Sequence, residues 1–210
     1  MPLPSPQDYT GRVAIVTGAA RGLGRAVAER LHERGASVAI NVRDAERAEL
    51  VAREIGERAF AVPGDVAAPG APDDIVQRTL ERFDRIDILI NNAALPLTTR
   101  FEALTVEEWR RALEVNLTAP FLLIKAALPT MKAQRYGRVV NISSTAGRMV
   151  STLGGAHYTT SKTGLLGLTR ATAKELGAYG ITVNAVCPGD RKSTRLNSSH
   201  SAKSRMPSSA

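Results

Sequence analysis

Cysteine, histidine and aromatic side chains are all scarce in this chain of 210 residues. The one cysteine, Cys187, excludes an internal disulfide, and neither a second cysteine nor paired histidines supply a metal-ligand spacing. No run of about 18 apolar residues is present, and the N-terminus lacks the basic and apolar pattern of a signal peptide. These absences favour a cytoplasmic protein whose chemistry needs no metal, with neither export nor a membrane partner indicated.

Positive charge is in excess, with a formal net charge of +8, but it is concentrated at one end of the chain. Residues 190–210 hold five basic side chains and one acidic side chain, which is half of that net charge. The remainder contains no block of like charges, so the sequence does not favour a nucleic-acid partner.

Short apolar segments alternate with longer amphipathic ones between residues 12 and 189. Apolar strands separated by helix-length segments are typical of a parallel sheet that is covered on both faces. The sequence therefore predicts one α/β domain over residues 12–189, a Rossmann-like doubly wound parallel sheet. Strands are predicted at VAIVT, SVAINV, RAFAVP, DILIN, RVVNIS and ITVNAVC, and helices at residues 23–34, 45–55, 73–83, 106–132 and 158–178.

The two ends of the chain differ from this domain. Residues 1–11 are rich in proline and polar residues and are expected to be a flexible N-terminus. Residues 190–210 are mostly Ser, Arg, Lys and small residues and are expected to be disordered. Codons can be chosen for this tail that match the nucleotide sequence of a widely used short-read sequencing adapter, over 11 residues and then over 7 more. The hypothesis is therefore adapter read-through fused to a truncated gene fragment, and a natural basic tail or linker is the alternative.

The first predicted strand runs into TGAARGLG, which places Gly18, Gly22 and Gly24 where strand turns into helix. Glycines there let the backbone approach a pyrophosphate, while the helix N-terminus offers unpaired N–H groups to the anion. A tight structural turn is the alternative, which the position within a βαβ unit disfavours.

The end of the second strand is where such folds meet the adenosine ribose. Val42 occupies the position at which an acidic residue favours NAD(H), and Arg43 follows it. Together with Arg21, this basic residue predicts a preference for NADP(H), with NAD(H) possible. The alternatives are that Arg43 is a solvated loop residue and that Asp44 contacts a ribose hydroxyl.

The segment YTTSK places Tyr158 and Lys162 on one face at the start of a predicted helix. An ammonium beside a phenol stabilises the phenolate and suits the phenol to acid and base work. Alone, this pair is commonly an ordinary surface contact. It gains weight from the ordered set TGAARGLG, GDV, NNAA, VN, NISS, YTTSK and VNAVCPG, in which the chain resembles the short-chain dehydrogenase/reductase family over residues 11–189.

The resemblance implies hydride transfer between a nicotinamide cofactor and an alcohol or carbonyl substrate. Tyr158 matches the acid/base, and Lys162 matches the residue that supports it and binds the nicotinamide ribose. Ser144 matches the hydroxyl that holds the substrate oxygen, and Asn116 matches the residue that positions a water for proton relay. Ser144 as a strand-end turn residue, Asn116 as a helix-bend residue, and Ser143 in place of Ser144 are the alternatives.

The resemblance also implies a set of cofactor contacts. They comprise the phosphate-binding turn, the adenine contacts, the central crevice and the segment that passes the nicotinamide, namely Gly18, Arg21, Gly22, Leu23, Gly24, Arg43, Asp65, Val66, Asn91, Ala93, Tyr158, Lys162, Pro188 and Gly189.

Two positions depart from the family pattern. Ala94 stands where glycine is usual, and the spacing from Ser144 to Tyr158 is one residue longer than the common one. The segment RMVSTLGG between them lies beside the substrate, so its length weakens any inference about specificity. His157 is interpreted as a pocket-wall side chain, with a second base as the alternative.

Two further expectations concern assembly. The apolar stretches APFLLIKAAL and GLLGLT pack in the core, and the resemblance implies that their helices also form a homodimer or homotetramer. It also implies a lid and a last strand after Gly189, so the fold is expected to be incomplete at its C-terminal edge. Poor solubility and low activity would follow for this form.

These motifs together predict that the protein is an oxidoreductase. A non-catalytic dinucleotide-binding module and an inactive truncated fragment are the alternatives. The combined presence of Ser144, Tyr158, Lys162 and Asn116 favours the enzyme, because a sensor of cofactor redox state needs no such set.

Overall fold

The computed structural model describes residues 8–96, 98–149 and 154–189. Its centre is a six-stranded sheet in the order β3-β2-β1-β4-β5-β6, and every neighbouring pair is parallel. The order reverses between β1 and β4, which are paired with Val16 beside Ile90. The strands are β1 Val13–Thr17, β2 Ser37–Asn41, β3 Ala59–Ala61, β4 Ile88–Asn91, β5 Gly137–Ile142 and β6 Ile181–Val186.

Helices connect successive strands, as the alternating pattern predicts. Their ends differ from the predicted ones by a few residues at most, because capping residues rather than apolar periodicity set them. The helices are α1 Gly22–Glu33, α2 Ala45–Ile55, α3 Ala71–Phe83, α4 Val106–Leu113, α5 Ala119–Ala133 and α6 Ala156–Leu176.

Two apolar clusters lie on opposite faces of the sheet, because side chains alternate along each strand. On one face, Ile15 and Leu89 pack with residues of α3 and α5. On the other face, Val16 and Ile40 pack with residues of α1 and α2. Coverage of both faces confirms the predicted Rossmann-like doubly wound sheet.

The predicted helix over residues 106–132 is continuous in the structure, but it contains a π turn at Glu114–Thr118 between α4 and α5. The stretch Val106–Ala133 is long and apolar enough to cross a membrane by length and composition, with a mean hydropathy of 1.3. Its apolarity has a structural cause, since Leu123, Ala127 and Met131 are buried against the sheet. The helix is therefore a core helix.

The N-terminal segment is attached to the domain from residue 8 onward. The Tyr9 N–H donates to the Arg34 carbonyl at 2.7 Å, and the Arg12 N–H donates to the Tyr9 carbonyl at 2.9 Å. Residues 8–11 of the segment expected to be flexible are thus held by backbone hydrogen bonds. The remainder of that segment, residues 1–7, and the tail, residues 190–210, lie outside the described residues.

Among the described residues, β6 is the last strand of the sheet. Ile181 and Val183 are buried beneath α6, whereas Thr182, Asn184 and Val186 alternate with them and are exposed. The described helices that cover the opposite face, α1 and α2, pack on β1 to β3 and leave this part of the sheet open.

A buried carboxylate joins the starts of β1 and β4, at the end of the sheet that is opposite to the strand carboxyl termini. The side chain of Asp87 is inaccessible to solvent. Its carboxylate accepts hydrogen bonds from Arg12, from Arg85 and from the Val13 N–H at 2.7–2.9 Å. Burial alone raises the pKa of Asp87, but the hydrogen bonds from Arg85, Val13 and Arg12 outweigh it and hold the pKa below its usual range.

We expect Asp87→Asn to lower the free energy of unfolding by about 2 kcal/mol at pH 7, because two guanidinium groups lose their buried counter-charge. A carboxylate with a lowered pKa stabilises the fold above its unfolded pKa, and this contribution is lost as the pH falls through the folded pKa. The difference in the free energy of unfolding between the variant and the parent protein therefore becomes smaller below about pH 4. Chemical denaturation over this pH range measures it.

Asp84→Asn is the matched control, since Asp84 is exposed and has a positive φ of 58° that asparagine adopts readily. A loss of stability for Asp84→Asn as large as that for Asp87→Asn would contradict the role given to the buried carboxylate.

Candidate active site

The reversal of strand order between β1 and β4 creates a crevice at the carboxyl ends of the strands. The connection after β1 leads to one face of the sheet and the connection after β4 leads to the other. Ligands of open α/β sheets bind outside such a switch point. The predicted cofactor and catalytic residues in the described part of the chain all come from segments that follow strands or from the helices beside them.

A hydrogen-bonded clamp closes the base of this crevice. The hydroxyl of Thr17, at the end of β1, accepts from the N–H groups of Asn92 and Ala93, both at 3.0 Å. In return, the Asn92 side-chain amide donates to the carbonyls of Thr17 at 2.8 Å and Gly18 at 3.1 Å. The glycine turn is thereby fixed to the residues that follow β4.

Close packing explains two of the three glycines in the turn. A Cβ on Gly24 would lie 2.3 Å from the Asn92 amide nitrogen and 2.6 Å from the Gly18 carbonyl oxygen. A Cβ on Gly18 would lie 2.8 Å from the Ala93 Cα, and Gly18 has a φ of +63°. Gly22 differs, since open space surrounds it and only its φ of +61° requires glycine.

The N-terminus of α1 opens beside this turn with its backbone N–H groups available. Arg21 is the N-cap, its side chain makes no capping hydrogen bond, and no acidic residue lies in the first turn. Leu23 is half-buried in that turn. A helix start without its own capping acceptor, next to an exposed arginine, suits an anionic ligand.

The end of β2 is followed by an exposed basic residue. Val42 is buried and Arg43 is exposed. The Asp44 carboxylate accepts from the Arg47 N–H at 2.7 Å and so caps α2. That bond occupies one carboxylate oxygen of Asp44, which is the alternative ribose contact.

The residues after β3 lie across the same crevice. Asp65 forms an ion pair with Arg111 of α4 and accepts from the Ala67 N–H at 3.0 Å. Burial raises the pKa of Asp65, but the hydrogen bonds from Ala67 and Arg111 and the positive charges of Arg111 and Arg43 hold that pKa below its usual range. These contacts hold the Asp65 carboxylate in place. The next residue, Val66, is buried in the core.

Lys162 is buried without a carboxylate partner among the described residues. Its side chain is 2% exposed, and its Nζ donates to the Ile142 carbonyl at 2.7 Å. The Nζ lies 5.9 Å from the centre of the Tyr158 ring. Burial lowers the pKa of Lys162 to about 8.

A second group of contacts joins α6 to the π turn. The Asn116 amide donates to the Ser161 hydroxyl at 3.1 Å, and that hydroxyl donates to the Tyr158 carbonyl at 2.8 Å. The Asn116 side chain also accepts from the Leu95 N–H at 2.8 Å and donates to the Leu95 carbonyl at 3.2 Å. Its side chain therefore fixes the chain after β4 to the start of α6.

The end of β5 meets this helix from the other side. The Ser143 hydroxyl is buried and donates to the Lys162 carbonyl at 2.9 Å. The Ser144 hydroxyl instead accepts from the Ala146 N–H at 3.2 Å and is half-buried. Among the described residues, the Ser144 hydroxyl donates no hydrogen bond, whereas the Ser143 hydroxyl does.

The segment after β6 lies against the same turn. The Pro188 carbonyl accepts from the Thr145 N–H at 3.1 Å, and a Cβ on Gly189 would lie 3.6 Å from the Thr145 methyl group. These two residues therefore lie beside the turn that follows Ser144.

Asn91 is part of a buried polar chain. Its side-chain amide donates to the Asn141 Oδ1 at 2.8 Å, and the Asn141 side-chain amide donates to the Thr169 hydroxyl at 2.9 Å. The Asn91 Oδ1 is buried and has no partner among the described residues. Asn91 therefore connects β4, β5 and α6 below the crevice.

Sequence reasoning missed Thr17, Asn92 and Ser161. Asn92 belongs to the quoted NNAA motif, and its side chain makes the contacts with the glycine turn. A repeated asparagine at the end of an apolar strand was the available signal. Ser161 stands inside YTTSK, but its link to Asn116 depends on the π turn. The insertion expected before Tyr158 includes residues 150–153, which lie outside the described residues.

The residues present fit a dinucleotide. Open space surrounds Gly22 beside the start of α1, which has no side-chain cap, and Arg21 and Arg43 are exposed basic residues near it in the fold. Lys162 places a buried cation beside Tyr158 with no protein counter-charge in the described part.

We expect Lys162→Met to raise the free energy of unfolding by about 3 kcal/mol at pH 7, because a charged side chain no longer has to be buried. A lysine with a lowered folded pKa releases its proton in the folded state before the unfolded state does. Between pH 8 and 10.5 the parent protein gains stability, and the advantage of the variant disappears. Chemical denaturation at pH 7 and pH 10 measures both effects.

Lys125→Met on α5 is the control, because Lys125 is exposed. Equal effects of the two substitutions at pH 7, or an advantage of Lys162→Met that persists at pH 10, would refute the burial cost.

Comparison with known proteins places this geometry in a family. A family model described as short chain dehydrogenase matches residues 12–205. A 3-oxoacyl-[acyl-carrier-protein] reductase of Synechocystis sp. is 41% identical over 186 residues, which cover 86% of this chain and 74% of the relative. A reductase of the same name from Escherichia coli is 35% identical over 182 residues, with 87% and 74% covered.

A third relative has a different printed substrate. The (2S)-[(R)-hydroxy(phenyl)methyl]succinyl-CoA dehydrogenase subunit of Thauera aromatica is 42% identical over 184 residues, which cover 85% of this chain and 72% of the relative. The family match spans the sheet, the glycine turn and both helices of the polar network. This chain therefore belongs to the short-chain dehydrogenases, a family of NAD(P)-dependent oxidoreductases.

Proposed function

We propose that this protein transfers a hydride between NADP(H) and an alcohol or carbonyl substrate, with Tyr158, Lys162, Ser144 and Asn116 as its catalytic set. The observation that carries the proposal is the burial of Lys162 beside Tyr158, with no counter-charge among the residues that the structure describes. A buried unpaired cation destabilises the fold, so a functional reason for its retention is needed. Bound nicotinamide supplies or accepts the hydride.

The proton at the substrate oxygen is handled by the side chains of the protein. Tyr158 donates its phenolic proton to that oxygen during reduction and takes it back during oxidation. The Ser144 hydroxyl, whose proton is not used within the described part of the protein, donates a second hydrogen bond to the same oxygen. Lys162 is mostly protonated at pH 7 and stabilises the negative charge on the phenol oxygen.

Asn116 has a positional role in this scheme. Its side chain is engaged with Leu95 and Ser161, so it holds the start of α6 relative to the crevice. A water relay at Asn116 remains part of the proposal, and the π turn supports it because such turns release helix backbone groups from their regular bonds.

The cofactor lies along the crevice in this proposal. The glycine turn, Leu23 and Arg21 would hold its pyrophosphate, and Arg43 at the end of β2 would contact its adenosine ribose. Asp65 and Val66 flank the adenine, while the remaining contacts follow the line from β4 to the nicotinamide, namely Asn91, Ala93, Tyr158, Lys162, Pro188 and Gly189. The guanidinium of Arg43, which is exposed and forms no salt bridge with the described residues, favours the 2′-phosphate of NADP(H).

The substrate class follows from the relatives. Their printed names include reductases of 3-oxoacyl groups on acyl carrier protein and a dehydrogenase of a CoA thioester. We infer that acyl thioesters with a carbonyl or hydroxyl group near the thioester are the first substrates to test.

Assembly and location complete the proposal. Phe121 and Leu122 of α5 are exposed although apolar, which suits a face shared with a second subunit in a homodimer or homotetramer. A cytoplasmic location is proposed with it.

We expect Tyr158→Phe to lower kcat about 1,000-fold with acyl thioesters while the dissociation constant for NADPH stays within about twofold, because only the transferred proton is removed. Turnover is followed by nicotinamide absorbance and binding by calorimetry. Tyr136→Phe is the matched control, since Tyr136 lies between the guanidinium groups of Arg12 and Arg138 and away from the crevice. Equal turnover of the Tyr158→Phe variant and the parent would favour a dinucleotide-binding module.

We expect Arg43→Ala to weaken NADPH binding about tenfold and to leave NADH binding nearly unchanged, because only the former carries the 2′-phosphate. Dissociation constants of both nucleotides are measured for the parent and the variant. Arg53→Ala, an exposed arginine in the last turn of α2, serves as control. NADH binding as tight as NADPH binding in the parent protein would remove the preference for NADP(H).

A further inference from the structure

His157 has buried hydrogen-bonding groups that the proposed reaction does not use. The side chain is 0% exposed and is one of the largest fully buried side chains in the described part of the protein. Neither ring nitrogen has a hydrogen-bond partner among the described residues. A buried imidazole without partners destabilises the fold relative to an apolar side chain of similar size.

The imidazole lies where two segments beside the crevice meet. A Cβ on Gly155 would lie 2.8 Å from the His157 Nδ1 and 2.5 Å from the Thr99 carbonyl oxygen. The ring nitrogen and this oxygen therefore flank the same point, which only a glycine leaves free. No hydrogen bond joins them in the described structure.

His157 and Thr99, which flank this point, belong to segments that contribute residues to the candidate site. His157 immediately precedes Tyr158 in the first turn of α6. Thr99 follows Leu95, whose backbone is bonded to Asn116, and its hydroxyl donates to Glu108 of α4 at 3.0 Å. Glu108 also closes the capping box with Thr105 at the start of α4.

We propose that His157 is a positioning residue, whose Nδ1–H donates to the Thr99 carbonyl once substrate is bound, and so sets the position of Tyr158. The inference rests on the proposed function, since Tyr158 must be the acid/base for its position to matter. Glycine at position 155 allows the two groups to approach. The bond left unmade in the free protein is formed in the loaded one, so the imidazole is retained for turnover and not for stability.

A histidine that only packs in the core predicts different behaviour. Its replacement by leucine would then alter stability and cofactor binding without a selective effect on kcat. The positioning role predicts the opposite pattern, because misplacement of an acid/base group lowers the rate of the chemical step.

The experiment compares His157→Leu, His157→Asn and the parent by steady-state kinetics and thermal unfolding, with NADPH and an acyl thioester. We expect His157→Leu to lower kcat about 10- to 100-fold, with an unchanged dissociation constant for NADPH. The same variant should melt about 2 °C or more above the parent, because two unpaired polar atoms leave the interior. His157→Asn should recover most of the kcat, since its amide nitrogen can take the place of Nδ1.

His32→Leu is the matched control. His32 also has a buried ring nitrogen without a partner among the described residues, but it packs against Gly56, away from the crevice. It should raise the melting temperature and leave kcat unchanged.

The experiment distinguishes a failure of the proposed function from a failure of the positioning role of His157. A parent protein without turnover of any acyl thioester, ketone or alcohol would refute the proposed function, and the positioning role with it. An active parent whose His157→Leu variant keeps its kcat, or melts below the parent, would refute the positioning role alone. A fall in kcat that His157→Asn does not recover would also refute it.

Discussion

The clamp between the end of β1 and the residues after β4 is the contact on which the crevice depends. Thr17 and Asn92 exchange hydrogen bonds across the point where the strand order reverses, and the Asn92 amide fills the space beside Gly18 and Gly24. Parallel strands bring their carboxyl ends to one edge of the sheet, but they do not by themselves hold the loops there. The clamp does so, and it leaves the backbone of the glycine turn and the start of α1 facing the crevice.

On the side of the crevice formed by α6, the burial of a lysine destabilises the fold. Lys162 is buried with one carbonyl as its hydrogen-bond partner, and burial lowers its pKa to about 8. Around it, Ser143 and Asn116 with Ser161 attach α6 to β5 and to the π turn. These bonds restrict the movements by which the lysine could reach solvent. The stability supplied elsewhere, for example at Asp87, allows such a site to persist.

Much of this arrangement was predictable from local patterns. The strands, the helices and the glycine turn follow from apolar periodicity, and Tyr158 with Lys162 follows from spacing along one helix. The contacts of Asn92 and Ser161 were not predictable, because each links segments far apart in the chain. The π turn that carries Asn116 was not predictable either, since residues 106–133 have the periodicity of one uninterrupted helix. Asp44 illustrates a competing use of a side chain, because its carboxylate caps α2.

The sequence by itself determined the fold class, the position of the crevice and the residue types available for hydride transfer, because these depend on periodicity and on motif order. The tertiary structure decided which groups are paired and which are left unpaired. Lys162, His157 and the Asn91 Oδ1 are buried without a counter-charge or a complete set of hydrogen bonds among the described residues. Burial and pairing depend on the neighbours that folding brings from distant parts of the chain, and no local pattern encodes them.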